Sequence, residues 1–110
     1  MIGLHLIVDG MISNRIGEKD MEKVLSELPS IIDMRILAGP IIVQGSPGNP
    51  GVTGFVIVDK SHIVIHTFEE GDRVSIDVFS CKTFDERKVL GYLRRWLGIE
   101  DFNFSLIERG

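Results

Sequence analysis

Cysteine is almost absent from this chain: Cys81 is the only one in 110 residues. A single thiol cannot cross-link the chain to itself, so the fold cannot rest on disulfides, and a reducing, cytoplasmic setting is expected. Long apolar runs are missing too. The N-terminal MIGLHLIVDG is far short of the roughly 20 apolar residues that span a bilayer, and it has neither a basic leader nor a small-residue cleavage site. It reads as a first strand, and no membrane partner is expected. There is no concentrated Lys/Arg face. With a net charge of −4, a nucleic-acid partner is not expected, and Lys88, Arg94 and Arg95 read as the solvated side of a helix. His5, His62, His66 and Cys81 contain no C-x-x-C or H-x-x-x-H pair, so no metal site is expected.

The apolar fraction of 44% is what a folding core needs, and the length suits one domain, residues 1–110. A strand is predicted from Gly3 to Asp9. Met21, Val24, Leu25 and Leu28 mark one helical face, which Pro29 is expected to end. Ile36 to Gln44 reads as a strand bent at Ala38-Gly39-Pro40. Val52 to Val58 and His62 to Thr67, separated by Asp59-Lys60-Ser61, form a hairpin signature. In Val74 to Cys81 the residues alternate: Val74, Ile76 and Val78 point one way, Asp77, Phe79 and Cys81 the other. Thr83 and Glu86 have capping-box spacing before a helix with the apolar positions Val89, Leu90, Leu93, Trp96 and Leu97 and a terminal Gly98. A last strand is predicted near Phe102 to Ile107. The expected fold class is α+β: a two-layer sandwich with a mostly antiparallel sheet and two helices on one face. The bare sheet face is the expected place for a homodimer contact and for a site, since so small a domain leaves much surface uncovered.

Taken alone, Ser61 in a tight turn reads as a hydroxyl bonded to its own backbone, and Cys81 as a small buried apolar side chain. Together they form a pattern. Lys60-Ser61-His62-Ile63-Val64-Ile65-His66-Thr67, followed by Ile76-Asp77-Val78-Phe79-Ser80-Cys81, resembles the S-H-x-x-I-H-T and D-x-F-x-C blocks of the pyruvoyl-dependent S-adenosylmethionine decarboxylases of prokaryotes. The spacings from Ser61 to His66 and to Cys81 agree, and Gly3-Leu4-His5-Leu6 is similar to the family's G-x-H-L opening.

The resemblance implies an enzyme of polyamine (spermidine) biosynthesis that makes its own cofactor. Ser61 Oγ would attack the carbonyl carbon of Lys60, with His66 moving protons and Thr53, where the family usually has serine, as donor to the developing oxyanion. Elimination would then part a beta chain, residues 1–60, from an alpha chain, residues 61–110. Residue 61 would be left as a pyruvoyl group that forms a Schiff base with the substrate amine and takes up the electrons released with carbon dioxide. Cys81 resembles the proton donor to the substrate carbon, and Glu70 the acid that holds the ribose hydroxyls, though Glu69 and Glu70 also read as solvated turn charges. His5 and Asp9 are given no catalytic role. Two departures stand out. Lys60 replaces the usual glutamate, and Pro47 lies near the place of an aromatic ring that stacks on adenine, a role that falls to Phe55 or Phe68. These departures leave two alternatives: a pyruvoyl decarboxylase of another amino acid such as arginine, or an uncut homologue acting as a ligand-binding or regulatory subunit.

Overall fold

The structure is a computed structural model and describes residues 2–110. In chain order it contains β1 (Gly3–Ile12), α1 (Glu18–Ile31), β2 (Ile36–Gln44), β3 (Val52–Val58), β4 (Ser61–Phe68), β5 (Arg73–Ser80), α2 (Glu86–Tyr92) with a π-helical turn at Leu93–Leu97, and β6 (Ile99–Arg109). The six strands form one sheet in the order β2-β3-β4-β5-β1-β6. Every neighbouring pair is antiparallel. This is the expected α+β sandwich.

Alternation along the strands divides the residues between two faces. Leu6, Val8, Val56, Ile63, Ile65, Ile76 and Val78 are buried with Met21, Val24, Leu25 and Leu28 of α1 and with Val89 and Leu93 behind them. Burying such side chains is the main favourable term in folding, at about 25 cal/mol per Å² of apolar surface. Gly54 allows α1 to lie close on β3: a Cβ there would come 2.5 Å from Leu25 Cδ1 and 2.7 Å from Met21 Cγ. The opposite face has no helix on it. Ile41, Val43, Ile57, Phe68 and Ile107 are all exposed, and their register places them on that open face.

Three local expectations are corrected. Pro29 does not end α1 but lies inside it, and the helix runs to Ile31. Proline cannot donate a hydrogen bond but still accepts, and the Pro29 carbonyl takes the N–H groups of Ile32 and Met34 as the helix closes. The second helix is not opened by a Thr83–Glu86 box. Asp85 is its N-cap, with Oδ1 accepting from the Arg87 N–H at 3.0 Å. Trp96 is not core but half exposed. The π-helical turn keeps Leu93 and Leu97 inward, while the indole lies against Lys23, whose ammonium is 4.4 Å from the ring centroid. The strands at the two ends of the sequence, β1 and β6, also run longer than their apolar patterns predict, because they pair with each other.

Candidate active site

β3 and β4 are joined by a two-residue turn, Asp59-Lys60, with Val58 paired to Ser61. Lys60 is in the left-handed region at φ 53°, which a residue with a Cβ enters only at a cost. The turn concentrates polar groups around Ser61, which is buried. Its Oγ donates to the Asp59 carbonyl at 3.0 Å and accepts from the Cys81 N–H at 2.8 Å. Cys81 Sγ donates to the same Asp59 carbonyl at 3.4 Å. The two residues are thus brought together from twenty positions apart. An N–H aimed at a hydroxyl oxygen stabilises the negative charge that builds there as its proton leaves.

One residue along β4 the chain turns to the open face with His62. Antiparallel pairing sets His62 opposite Phe79, and Phe79 opposite His5. The His62 and Phe79 ring centroids are 5.7 Å apart, and His5 meets His62 edge-on at 6.3 Å. His5 Nε2 is 3.1 Å from Asp77 Oδ1, and the Arg109 guanidinium lies 4.8 Å from the Phe79 ring centroid. Burial pushes the His62 imidazole below the ordinary histidine range. His5 and Arg109 push the same way, against an opposing pull from Asp77.

The other end of β4 carries a second group. Thr53 Oγ1 and His66 Nδ1 are 2.8 Å apart, as expected for directly opposed residues on β3 and β4. Further along the same row, Ser75 donates to Asp9 Oδ1 at 2.8 Å. Phe55 and Phe68 lie on the open face to either side of this row. Glu70 is exposed in the turn after β4, while its neighbour Glu69 pairs with Arg15 at 2.7 Å.

Ser61 and Cys81 therefore meet, and so do Thr53 and His66, but the two pairs do not meet within one chain. Five residues of extended strand put His66 about 16 Å from Ser61, and their side chains leave opposite faces of β4. Within one chain a strand cannot fold back on itself over five residues, so His66 and Thr53 stand apart from the Ser61 of their own chain.

The comparisons with known proteins bear on this arrangement. The family model described as S-adenosylmethionine decarboxylase matches residues 4–110. The chain belongs to the S-adenosylmethionine decarboxylase family. The S-adenosylmethionine decarboxylase proenzyme of Clostridium botulinum is 33% identical over 98% of this chain and 94% of its own length. A proenzyme of the same name from Thermococcus onnurineus is 32% identical over 99% of this chain and 78% of its own. Among solved structures, the adenosylmethionine decarboxylase of Aquifex aeolicus superposes with a TM-score of 0.79 at 25% identity, covering 99% of this chain and 91% of that one. The similarity to this family takes in both ends of β4.

His5, Asp77 and Phe79 fall within the matched motifs without a role being read for them, and Arg109 is a site neighbour that the sequence does not single out. The alternation of β5 puts Asp77 and Phe79 on one face, but only the β1–β5 register brings His5 to them.

Proposed function

We propose that this chain is a self-processing, pyruvoyl-dependent S-adenosylmethionine decarboxylase whose site is completed between two copies of the chain. The observation that carries this reading is the Ser61–Cys81–Asp59 cluster at a tight turn in a chain of this family. The hydroxyl is oriented by the Asp59 carbonyl and faces a backbone N–H, so the residues present fit the conversion of Ser61 into the prosthetic group. In processing, Ser61 Oγ bonds to the Lys60 carbonyl carbon, the Lys60–Ser61 C–N bond breaks, and the nitrogen takes a proton. Loss of the Ser61 α-proton then breaks the Cβ–Oγ bond and frees Lys60 as a carboxylate. Water releases ammonia from residue 61 and leaves a ketone.

That group supplies an electron sink for loss of the substrate carboxylate. Cys81 stands beside residue 61, outside any disulfide, and its thiol, which donates to the Asp59 carbonyl, is placed to return a proton to the substrate carbon. Phe68 and Glu70 lie past His66 at the far end of β4, so it is the partner subunit's Phe68 and the partner subunit's Glu70, with Phe55, that offer apolar faces for the adenosyl part and a carboxylate for its hydroxyls.

The distance between the two ends of β4 supports the second copy. A two-fold packing of open face on open face covers Ile41, Val43, Ile57, Phe68 and Ile107, and it carries His66 and Thr53 of the partner subunit toward Ser61. The partner's His66 then serves as the base for processing.

The test is intact mass and a denaturing gel, followed by carbon dioxide release from carboxyl-labelled S-adenosylmethionine. Two fragments divided between Lys60 and Ser61, with the second blocked at its N-terminus, are expected together with release. A single uncut chain after long incubation, with no release, would favour the non-processing subunit, for which Lys60 is the motivating feature. Fragments that release label from arginine alone would favour the other substrate.

A further inference from the structure

The open-face group one residue beyond Ser61 is not used in the chemistry described so far. His62 is covalently next to residue 61, projects from the open face, and within its own chain has defined neighbours on the strands around it. From β3 it meets Ile57, which does not titrate. From the turn come Asp59 and Lys60, and from β5 Phe79, flanked by Asp77 and Cys81. From β1 it faces His5, fixed by Asp77, and from β6 Arg109 reaches across Phe79. With its proton on Nε2, His5 donates to Asp77 Oδ1, which holds the ring edge-on to His62.

We propose that His62 is a catalytic base for the decarboxylase reaction, taking a proton from the substrate's α-ammonium, and that the Asp77–His5 pair is its positioning unit. This rests on the reading of the chain as a pyruvoyl decarboxylase. An ammonium has no lone pair and cannot attack a carbonyl. The proton must leave to a neutral base beside residue 61, and the electron pair it leaves behind forms the bond to the carbonyl carbon there. Among the described residues of the same chain, the other imidazole near this turn, His5, is engaged with Asp77; the partner's His66, brought to residue 61 in the proposed dimer, serves processing and is bonded to Thr53. The cluster also suits the protonation state required. Desolvation and the neighbouring His5 and Arg109 keep His62 neutral at a pH where a freely exposed histidine would begin to hold a proton.

The first measurement is an NMR titration of labelled histidine side chains in the full-length Ser61→Ala chain, which needs no activity. A His62 midpoint below the ordinary 6.5 is expected. His5→Gln removes a neighbour that disfavours charge on His62 and should move the midpoint up; Asp77→Asn removes one that favours it and should move the midpoint down. The second measurement is the pH profile of kcat/KM for the cut enzyme. Its acid limb should shift up in His5→Gln and down in Asp77→Asn, and His62→Asn should lose about 100-fold or more. A purely structural cluster would lower activity at all pH values without opposed shifts. A midpoint at or above 6.5, shifts of one sign in both variants, or an active His62→Asn enzyme would overturn the proposal and leave the decarboxylase reading standing. An uncut chain would overturn that reading and this step together, and the titration would still report whether the cluster holds His62 neutral.

Discussion

The two faces of β4 are built from alternate residues of one eight-residue strand, yet they do opposite work. Toward the helices, Ile63 and Ile65 are wholly buried. Toward the open side stand His62, Val64 and His66, all partly exposed, and His66 is bonded to Thr53 on β3. Stability is thus concentrated on one face and titratable chemistry on the other. The ends of the strand differ as well. One offers a nucleophile with oriented backbone groups, the other an imidazole held by a hydroxyl, and the rigidity of the strand keeps them apart. In the proposed function, this contrast is the reason a second copy enters the mechanism.

The largest expected effect is all-or-none. Ser61→Ala and His66→Ala chains, each expressed alone, should fold and remain uncut. Co-expressed with distinguishable tags, they should form mixed dimers in which only the His66→Ala chain is cut, because it keeps Ser61 and receives His66 from its partner. Intact mass of the separated chains is the measurement. No cleavage in the mixture, or cleavage of the His66→Ala chain when it is expressed by itself, would return the processing base to the same chain or to another residue.

The faces themselves are compared next. Ile65→Ala should destabilise the uncut Ser61→Ala background by about 2–5 kcal/mol, as deletions of fully buried side chains do. Val64→Ala, the adjacent residue on the open face, should cost under about 1 kcal/mol in a monomeric state. Urea unfolding curves measure both. Equal costs would mean that the open face is already packed as a core.

Most of the architecture was legible because it depends on local periodicity: alternation in β5, the apolar stripe of α1 and the Asp59-Lys60 turn. The lower accuracy at Pro29, Thr83 and Trp96 has a common cause. Each depended on what the backbone does at a helix end, where one accepting carbonyl or one widened turn decides the outcome. At the site, Ser61, His66 and Cys81 were recognisable by their resemblance to the family's motifs, and Thr53 by the serine usual at its place, but a motif carries no distance. That Ser61 and His66 leave opposite faces follows from counting five along a strand. The place of His5 beside Asp77 and Phe79 requires the pairing of β1 with β5, which no local pattern encodes.

A smaller effect is expected at the His66 end. Thr53→Val keeps the shape of the side chain and removes the oxygen 2.8 Å from His66 Nδ1. Such a hydrogen bond contributes about 1 kcal/mol net, so processing should slow by roughly fivefold without stopping. A time course of fragment formation measures it, and Thr53→Ser, the residue usual in the family, should retain the wild-type rate.

The smallest expected effect concerns His62 and pH. Its folded midpoint lies below the 6.5 of an unperturbed histidine, so between the two values the unfolded chain holds a proton that the folded chain does not. Unfolding then takes up protons, and acid favours it. The contribution is absent above about pH 7.5, develops as pH falls through 6.5 toward the folded midpoint, and is constant below it. Urea midpoints of the Ser61→Ala chain should therefore fall on acidification through this window by more than those of a Ser61→Ala/His62→Asn chain, whose other carboxylates and histidines are unchanged. Matching slopes would mean that His62 is as free to charge in the folded chain as in the unfolded one. The contrast between its position beside Ser61 and an ordinary surface histidine would then disappear.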